Sequence, residues 1–252
     1  VTKVDPKLEG SNIVDVIPHS GYCPNDCISC YYNSNFYLDI KKELPLLPNP
    51  SKYDLDKTIF RVNSGHDSNM LREMVIESCK QYPLKYYNTA IPENISRFDA
   101  PVILTVNGVN HDDSLRIEWW LQKLTKEDMK NLMAVRFRAN CWNIILLDTI
   151  YRIFHKNKIP IIVTPMRYQP WYHNYMPKKY HKHYILEKHI TNQYYVLNKE
   201  SWNAMKSMLR LEYFFGKVAK KVTYMCGKTY ENKYCRDCGQ CEKFFWDFHN
   251  SK

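Results

Sequence analysis

Short apolar runs alternate along the chain with longer amphipathic or polar stretches. Residues 12–17, with Ile13, Val14, Val16 and Ile17, predict a first strand that stops at Pro18. Residues 58–63, with Ile59, Phe60 and Val62, predict a second, closed by the polar run Ser64-Gly65-His66-Asp67-Ser68-Asn69. Met70, Met74 and Ile76 recur at helical spacing within 69–81, and Pro83 stops that helix. Asp67 or Ser68 is its candidate N-cap. Residues 85–89 and 101–108 read as third and fourth strands, joined by a short helix over 92–97. Residues 111–120 are acidic and read as irregular, and Thr125 and Asp128 mark a capping box. A fifth strand over 133–138 carries Arg136 and Arg138, an amphipathic helix covers 142–155, and a nearly all-apolar sixth strand covers 160–164. The three prolines of 38–56 (Pro45, Pro48 and Pro50) predict a loop.

Strands alternating with helices at this interval imply an α/β fold with a parallel sheet. In such sheets ligands gather at the carboxyl ends of the strands. That places Cys23, Asp67, Asn88, Asn107, Arg138 and Met166 around one mouth. The pattern breaks over 168–198, which is rich in Tyr, Lys and His. It reads as a polar insertion, a lid, or a basic aromatic surface of the kind that binds single-stranded nucleic acid, with Trp171 as a stacking residue. His181 and His183 are candidate metal ligands, with a spacing that suits a strand better than a helix. Residues 199–215 predict a helix ended by Gly216.

Composition narrows the class. The 252 residues suffice for one sizeable core, and 44% apolar content with six Trp describes a folded globule. No stretch approaches the ~18 uncharged apolar residues of a membrane span. The first ten residues are charged and lack the apolar stretch of a signal peptide, so a reducing cytoplasmic setting is expected. Lys and Arg number 36 against 26 acidic residues, an excess of +10. It favours an acidic partner: nucleic acid, a nucleotide, or an acidic electron donor.

Seven of nine cysteines fall into two tight groups; Cys79 and Cys141 stand alone. Cys23, Cys27 and Cys30 have the spacing C-x3-C-x2-C, and Cys226, Cys235, Cys238 and Cys241 the spacing C-x8-C-x2-C-x2-C. Such spacing without a secretory context points to metal. Three thiolates can hold three irons of a 4Fe–4S cube and leave the fourth open. His19 with the same three cysteines would instead complete a tetrahedral zinc site. The second group has enough thiols for a second 4Fe–4S cluster or a structural zinc.

The first cysteine triad, following the first strand, resembles that of the radical S-adenosylmethionine (SAM) superfamily, with the likeness spanning residues 12–166. Ser29 stands where that family usually has an aromatic residue, and Tyr31 and Tyr32 follow the third cysteine instead. The turn Ser64-Gly65-His66-Asp67 lies where the family has a Gly-Gly-Glu-like turn, with Asp for Glu. The tail and the Tyr86-Tyr87-Asn88-Thr89 strand look like those of short members carried by phages and mobile elements.

The resemblance implies a partial (β/α)6 parallel barrel over 1–166. Residues 167–252 would form an insertion, a helix and a cysteine-rich metal-binding extension packed on it. It implies a 4Fe–4S cluster on Cys23, Cys27 and Cys30, and SAM held by Ser64, Gly65 and Asp67 at its amino end. Asn107 or Arg138 would take its ribose or carboxylate. It further implies a flavodoxin or ferredoxin as electron donor, and hydrogen abstraction from a nucleic-acid, nucleotide or peptide substrate. A non-enzymatic, zinc-stapled nucleic-acid-binding protein is the alternative, with the excess charge meeting phosphates.

Overall fold

The computed structural model describes residues 6–25, 27, 30, 32, 45–107, 114–188, 193–210, 223–226 and 235–251. Expectations placed on Ser29, Tyr31, Gly108, residues 111–113, His189 and Gly216 lie outside them.

Seven strands form one curled parallel sheet of half-barrel shape: β1 (Ile13–Val16), β2 (Ile59–Val62), β3 (Lys85–Thr89), β4 (Val102–Asn107), β5 (Leu132–Ala139), β6 (Ile161–Pro165) and, after an antiparallel hairpin, β9 (Thr223–Met225). The first six lie side by side in chain order, and every neighbouring pair is parallel. The expected six strands become seven because Thr223–Met225 adds to the free edge of β6, with Cys226 N continuing the ladder to Val163 O at 2.8 Å.

Helices α1 (Arg72–Ser78), α2 (Ser114–Leu121), α3 (Lys126–Lys130) and α4 (Leu147–Phe154) follow β2, β4 and β5. Val75, Ile117, Leu121, Leu147, Ile150 and Phe154 meet the outward residues Phe60, Tyr87, Leu104, Val135, Phe137 and Val163 in the larger core. Successive strand residues face opposite sides, so burying both faces requires the near-continuous apolar runs seen in β4 to β6. Helix α2 corrects the irregular reading of 111–120: Ile117 and Leu121 form an i,i+4 pair buried in that core. Met166, expected at the mouth, is buried in the same core. Helix α1 starts at Arg72 without a side-chain cap. The Thr125–Asp128 capping box is formed, with Asp128 N donating to Thr125 Oγ1 at 3.1 Å and Thr125 N to Asp128 Oδ2 at 3.0 Å.

Beyond β6 lie two 3-10 turns, Pro170–Tyr175 and Lys178–His183, and an antiparallel hairpin of β7 (Tyr184–Lys188) and β8 (Gln193–Leu197). His181 and His183 thus sit on a 3-10 turn and not on a strand, because the hairpin begins only at Tyr184. Helix α5 (Lys199–Arg210) follows. Near the C-terminus a one-turn helix, α6 (Cys235–Cys238), leads through Gly239 at φ +62° into α7 (Gln240–His249). Phe244 and Phe245 of α7 pack on the other sheet face against Ile13, Ile59, Tyr86, Ile103, Ala134 and Ile162. Asn12 Nδ2 donates to Glu242 Oε1 at 2.8 Å, fastening this helix to the start of β1. No described helix is long and apolar enough to cross a membrane.

Candidate functional site

The concave face changes character along the strands. Its amino-terminal part is the apolar layer under α7. Two residues further along each strand the same face carries Asp15, Arg61, Asn88, Thr105 and Arg136, then Asn107, Arg138 and Thr164. The last three are lateral neighbours, because Asn107 pairs in register with Arg138 and Arg138 with Thr164. A buried polar group without a hydrogen bond costs ~1–3 kcal/mol. Four such atoms lie at the strand ends or just beyond: His19 Nε2, Asn107 Nδ2 and Oδ1, and Thr164 Oγ1 have no partner among the described residues.

The first cysteine loop closes over this end. Cys30 N donates to Cys27 O at 3.0 Å, which brings these two residues together. Cys23 is buried, which pushes its thiol up to about 12, and it lies within electrostatic reach of Asp67, Cys27 and Cys30. Burial also raises the Cys27 thiol, opposed by the Asn107 amide and by Arg138. Asn107 and Arg138 therefore stand beside the triad, although neither Asn107 amide atom makes a hydrogen bond of ordinary geometry. Among the described residues no three His, Cys, Asp or Glu side chains are drawn close enough to enclose a metal ion. The thiols are gathered rather than closed. Beside Cys27, a polar cleft of about 300 Å³ runs from Asn25 past Thr105 and Asn107 to Glu93, Trp120 and Lys123.

The turn after β2 braces the loop. Asn63, in the left-handed region at φ +53°, hydrogen-bonds through its amide to His19 Nδ1 and Ser68 Oγ, at 3.1 and 3.2 Å. His19 is buried, which lowers its pKa, and its ring stacks on His66 at 3.8 Å. Tyr32 meets His66 edge-on at 5.6 Å, and its ring fills the space over Gly65. A Cβ at Gly65 would lie 2.5 Å from Tyr32 Cδ2, so the close approach requires glycine. Asp67 accepts four hydrogen bonds: from Ala90 N at 2.6 Å, Thr89 Oγ1 at 2.7 Å, Asn25 Nδ2 at 2.8 Å and Asn69 N at 2.9 Å. Burial raises its pKa while these donors pull it back. With all four taken up internally, Asp67 acts as the rivet between the cysteine loop, the β2 turn and the end of β3. Ser64 is half-buried in the same turn.

The C-terminal cysteines face the same lumen. Cys226, Cys235 and Cys241 border the apolar layer under α7. Cys241 is half-buried, and desolvation raises its thiol, opposed chiefly by Arg136; Cys226, Arg61 and Cys238 are also within its reach. Burial disfavours the Arg136 cation, yet its pKa is raised because Cys241 and Cys226 lie beside it. Asp15 holds Arg61 through both oxygens, at 2.6 and 3.0 Å. Arg136 has the neutral Asn88 Oδ1 at 3.3 Å and no carboxylate ion pair among the described residues.

Sequence reading named the two thiol groups, Asn107 and Arg138, but not the His19–His66 stack, Thr164 or the Asp15–Arg61 pair. Single charged residues inside otherwise apolar strands were the available signal for Asp15, Arg61 and Arg136. No protein-family model matches the chain, and no curated protein or solved structure matches it.

Proposed function

We propose that the chain is a radical SAM enzyme that carries a 4Fe–4S cluster on Cys23, Cys27 and Cys30. The observation that carries this reading is that three thiols lie within electrostatic reach of one another beside four unpartnered buried polar atoms at the carboxyl end of a curled parallel sheet. Three thiols are the donor set for a cube with one open corner, and unpartnered amide and hydroxyl groups are what a polar cosubstrate would satisfy. When bound, the cluster would supply one electron, received from a flavodoxin- or ferredoxin-like donor, that splits the sulfonium C–S bond of SAM into methionine and a 5′-deoxyadenosyl radical, which takes a hydrogen atom from the substrate and becomes 5′-deoxyadenosine. The protein's part is to bind, orient and shield. Asn107 offers a donor and an acceptor, Arg138 a cation for a carboxylate, and Thr164 a hydroxyl. Ser64 and Gly65 lie at the turn that faces the amino end of SAM in this reading, and Asp67 fixes the loop beside it.

Cys226, Cys235, Cys238 and Cys241 would hold a second 4Fe–4S cluster or a zinc. Its support is Arg136, a half-buried cation on the concave face that lies within electrostatic reach of Cys241 and Cys226. A metal–thiolate centre is anionic and compensates that charge, whereas four protonated thiols do not.

The test is anaerobic purification, iron and sulfide analysis, and assay of 5′-deoxyadenosine formed from SAM under dithionite. Broad visible absorbance and SAM cleavage, both lost in a Cys23→Ala/Cys27→Ala/Cys30→Ala variant apart from what the second group contributes, are expected. A colourless chain holding zinc and leaving SAM intact would overturn the proposal and return the zinc-stapled binding protein.

A further inference from the structure

Residues 167–207 hold seven Lys or Arg against two Glu, so about half of the chain's +10 excess sits in about one-sixth of its length. Lys178, Lys179 and Lys182 are exposed on one 3-10 turn, and Trp171 is 55% exposed on the turn before it. The aromatic rings are continuous from that surface inward. Trp171 meets Tyr172 edge-on at 5.8 Å, Tyr172 stacks on Tyr168 at 4.8 Å, and Tyr168 stacks on Trp142 at 5.8 Å. Trp142 in turn meets Tyr180, whose ring lies under Lys179 Nζ at 5.0 Å.

The platform is fixed and borders the mouth. Tyr168 and Tyr195 exchange backbone hydrogen bonds of 2.9 and 2.7 Å, which pin the hairpin to the segment leaving β6. Asn140 Nδ2 donates to the Tyr168 hydroxyl at 2.9 Å, and that hydroxyl feels Arg138, the residue beside Cys27.

We infer that this platform binds single-stranded nucleic acid, with a base stacked on Trp171 and phosphates on Lys178, Lys179 and Lys182, and so names the substrate class of the mouth. Stacked bases need exposed, rigid aromatic faces, and phosphates need cations spaced around them; the surface supplies both. A polyanion without bases, such as an acidic protein surface, would use the lysines and leave Trp171 idle. The substrate assignment rests on the radical SAM reading; the binding does not, and the test separates them.

Fluorescence anisotropy of a labelled single-stranded oligonucleotide, as RNA and as DNA, is titrated with the full chain at stepped salt, with duplex, heparin and polyglutamate as competitors. Single strands of at least one sugar type are expected to bind in preference to all three. Trp171→Ala should weaken binding on the order of tenfold. Lys178→Ala and Lys179→Ala should each reduce the salt slope by about 0.7. Circular dichroism checks that each variant folds. Absence of binding by the folded parent, equal competition by polyglutamate or heparin, or indifference to Trp171→Ala would each overturn the inference. SAM cleavage without oligonucleotide binding removes the platform and keeps the enzyme; binding without SAM cleavage does the reverse.

Discussion

Replacing Asp67 with alanine removes the acceptor of four donors at once. Two have alternatives: Thr89 Oγ1 already lies 3.4 Å from Ile91 O, and the half-exposed Asn25 can turn to water. The backbone N–H groups of Ala90 and Asn69 have only Asp67, and the site is 2% exposed. Two orphaned buried donors cost about 2–6 kcal/mol. Part of this is returned, because burial already disfavours the Asp67 carboxylate. The net loss should therefore be about 2–4 kcal/mol, or roughly 4–16 °C in melting temperature for a chain of this size. Asp67→Asn keeps one acceptor oxygen and should cost about half as much. Urea unfolding of both variants, with the slope checked for constancy, reads the difference. A loss below about 1 kcal/mol for the alanine variant would refute the rivet, since it would mean that the donors find other partners. In a cycle with Asn25→Ala, the two changes should depart from additivity by about 0.5 kcal/mol or more.

Gly65→Ala drives a methyl group into the Tyr32 ring and should destabilise the fold by about 1–3 kcal/mol, with much of the loss recovered in a Tyr32→Ala background; equal losses in both backgrounds would sink this reading. Asp15→Ala breaks the largely buried ion pair with Arg61 and should cost about 3–5 kcal/mol by thermal melting, whereas an Asp15→Leu/Arg61→Met pair should recover most of that loss. In the metal-free chain Cys23 should be among the last cysteines alkylated. With its thiol pushed up to about 12, only about one in ten thousand is thiolate at about pH 8, and the rate should climb about tenfold per pH unit until about pH 12. Mass-spectrometric mapping that finds Cys23 labelled as fast as a free thiol would contradict its burial. Phe245→Ala should cost about 3–5 kcal/mol and expose α7 to limited proteolysis.

Strands β4 and β6 were legible as apolar runs that bury both faces, and β1, β2, β3 and β5 by the Val, Ile, Phe and Tyr residues that flank their few polar ones. Strand β9 was not: Thr-Tyr-Met is three residues long and becomes a strand only because β6 offers a free edge. Helix α2 was hidden because the acidic Asp112 and Asp113 precede it, and only Ile117 and Leu121 mark its inward side. Cysteine spacing made both thiol groups visible, since spacing is a local pattern. Their surroundings are set by register across strands, which no local pattern encodes. Asn107, Arg138 and Thr164 are neighbours through two ladder alignments, and Arg136 meets Cys241 across more than a hundred residues of chain.

Strand β5 has one consequence that reaches both ends of the molecule. Arg136 and Arg138 occupy alternate positions on its concave side, about 7 Å apart along the strand, one beside the C-terminal thiols and the other beside Cys27. One short ribbon of backbone thus serves as a common counter-ion strip. Replacing either arginine removes positive charge from a strip that both thiol groups border, so the two groups are not electrostatically independent.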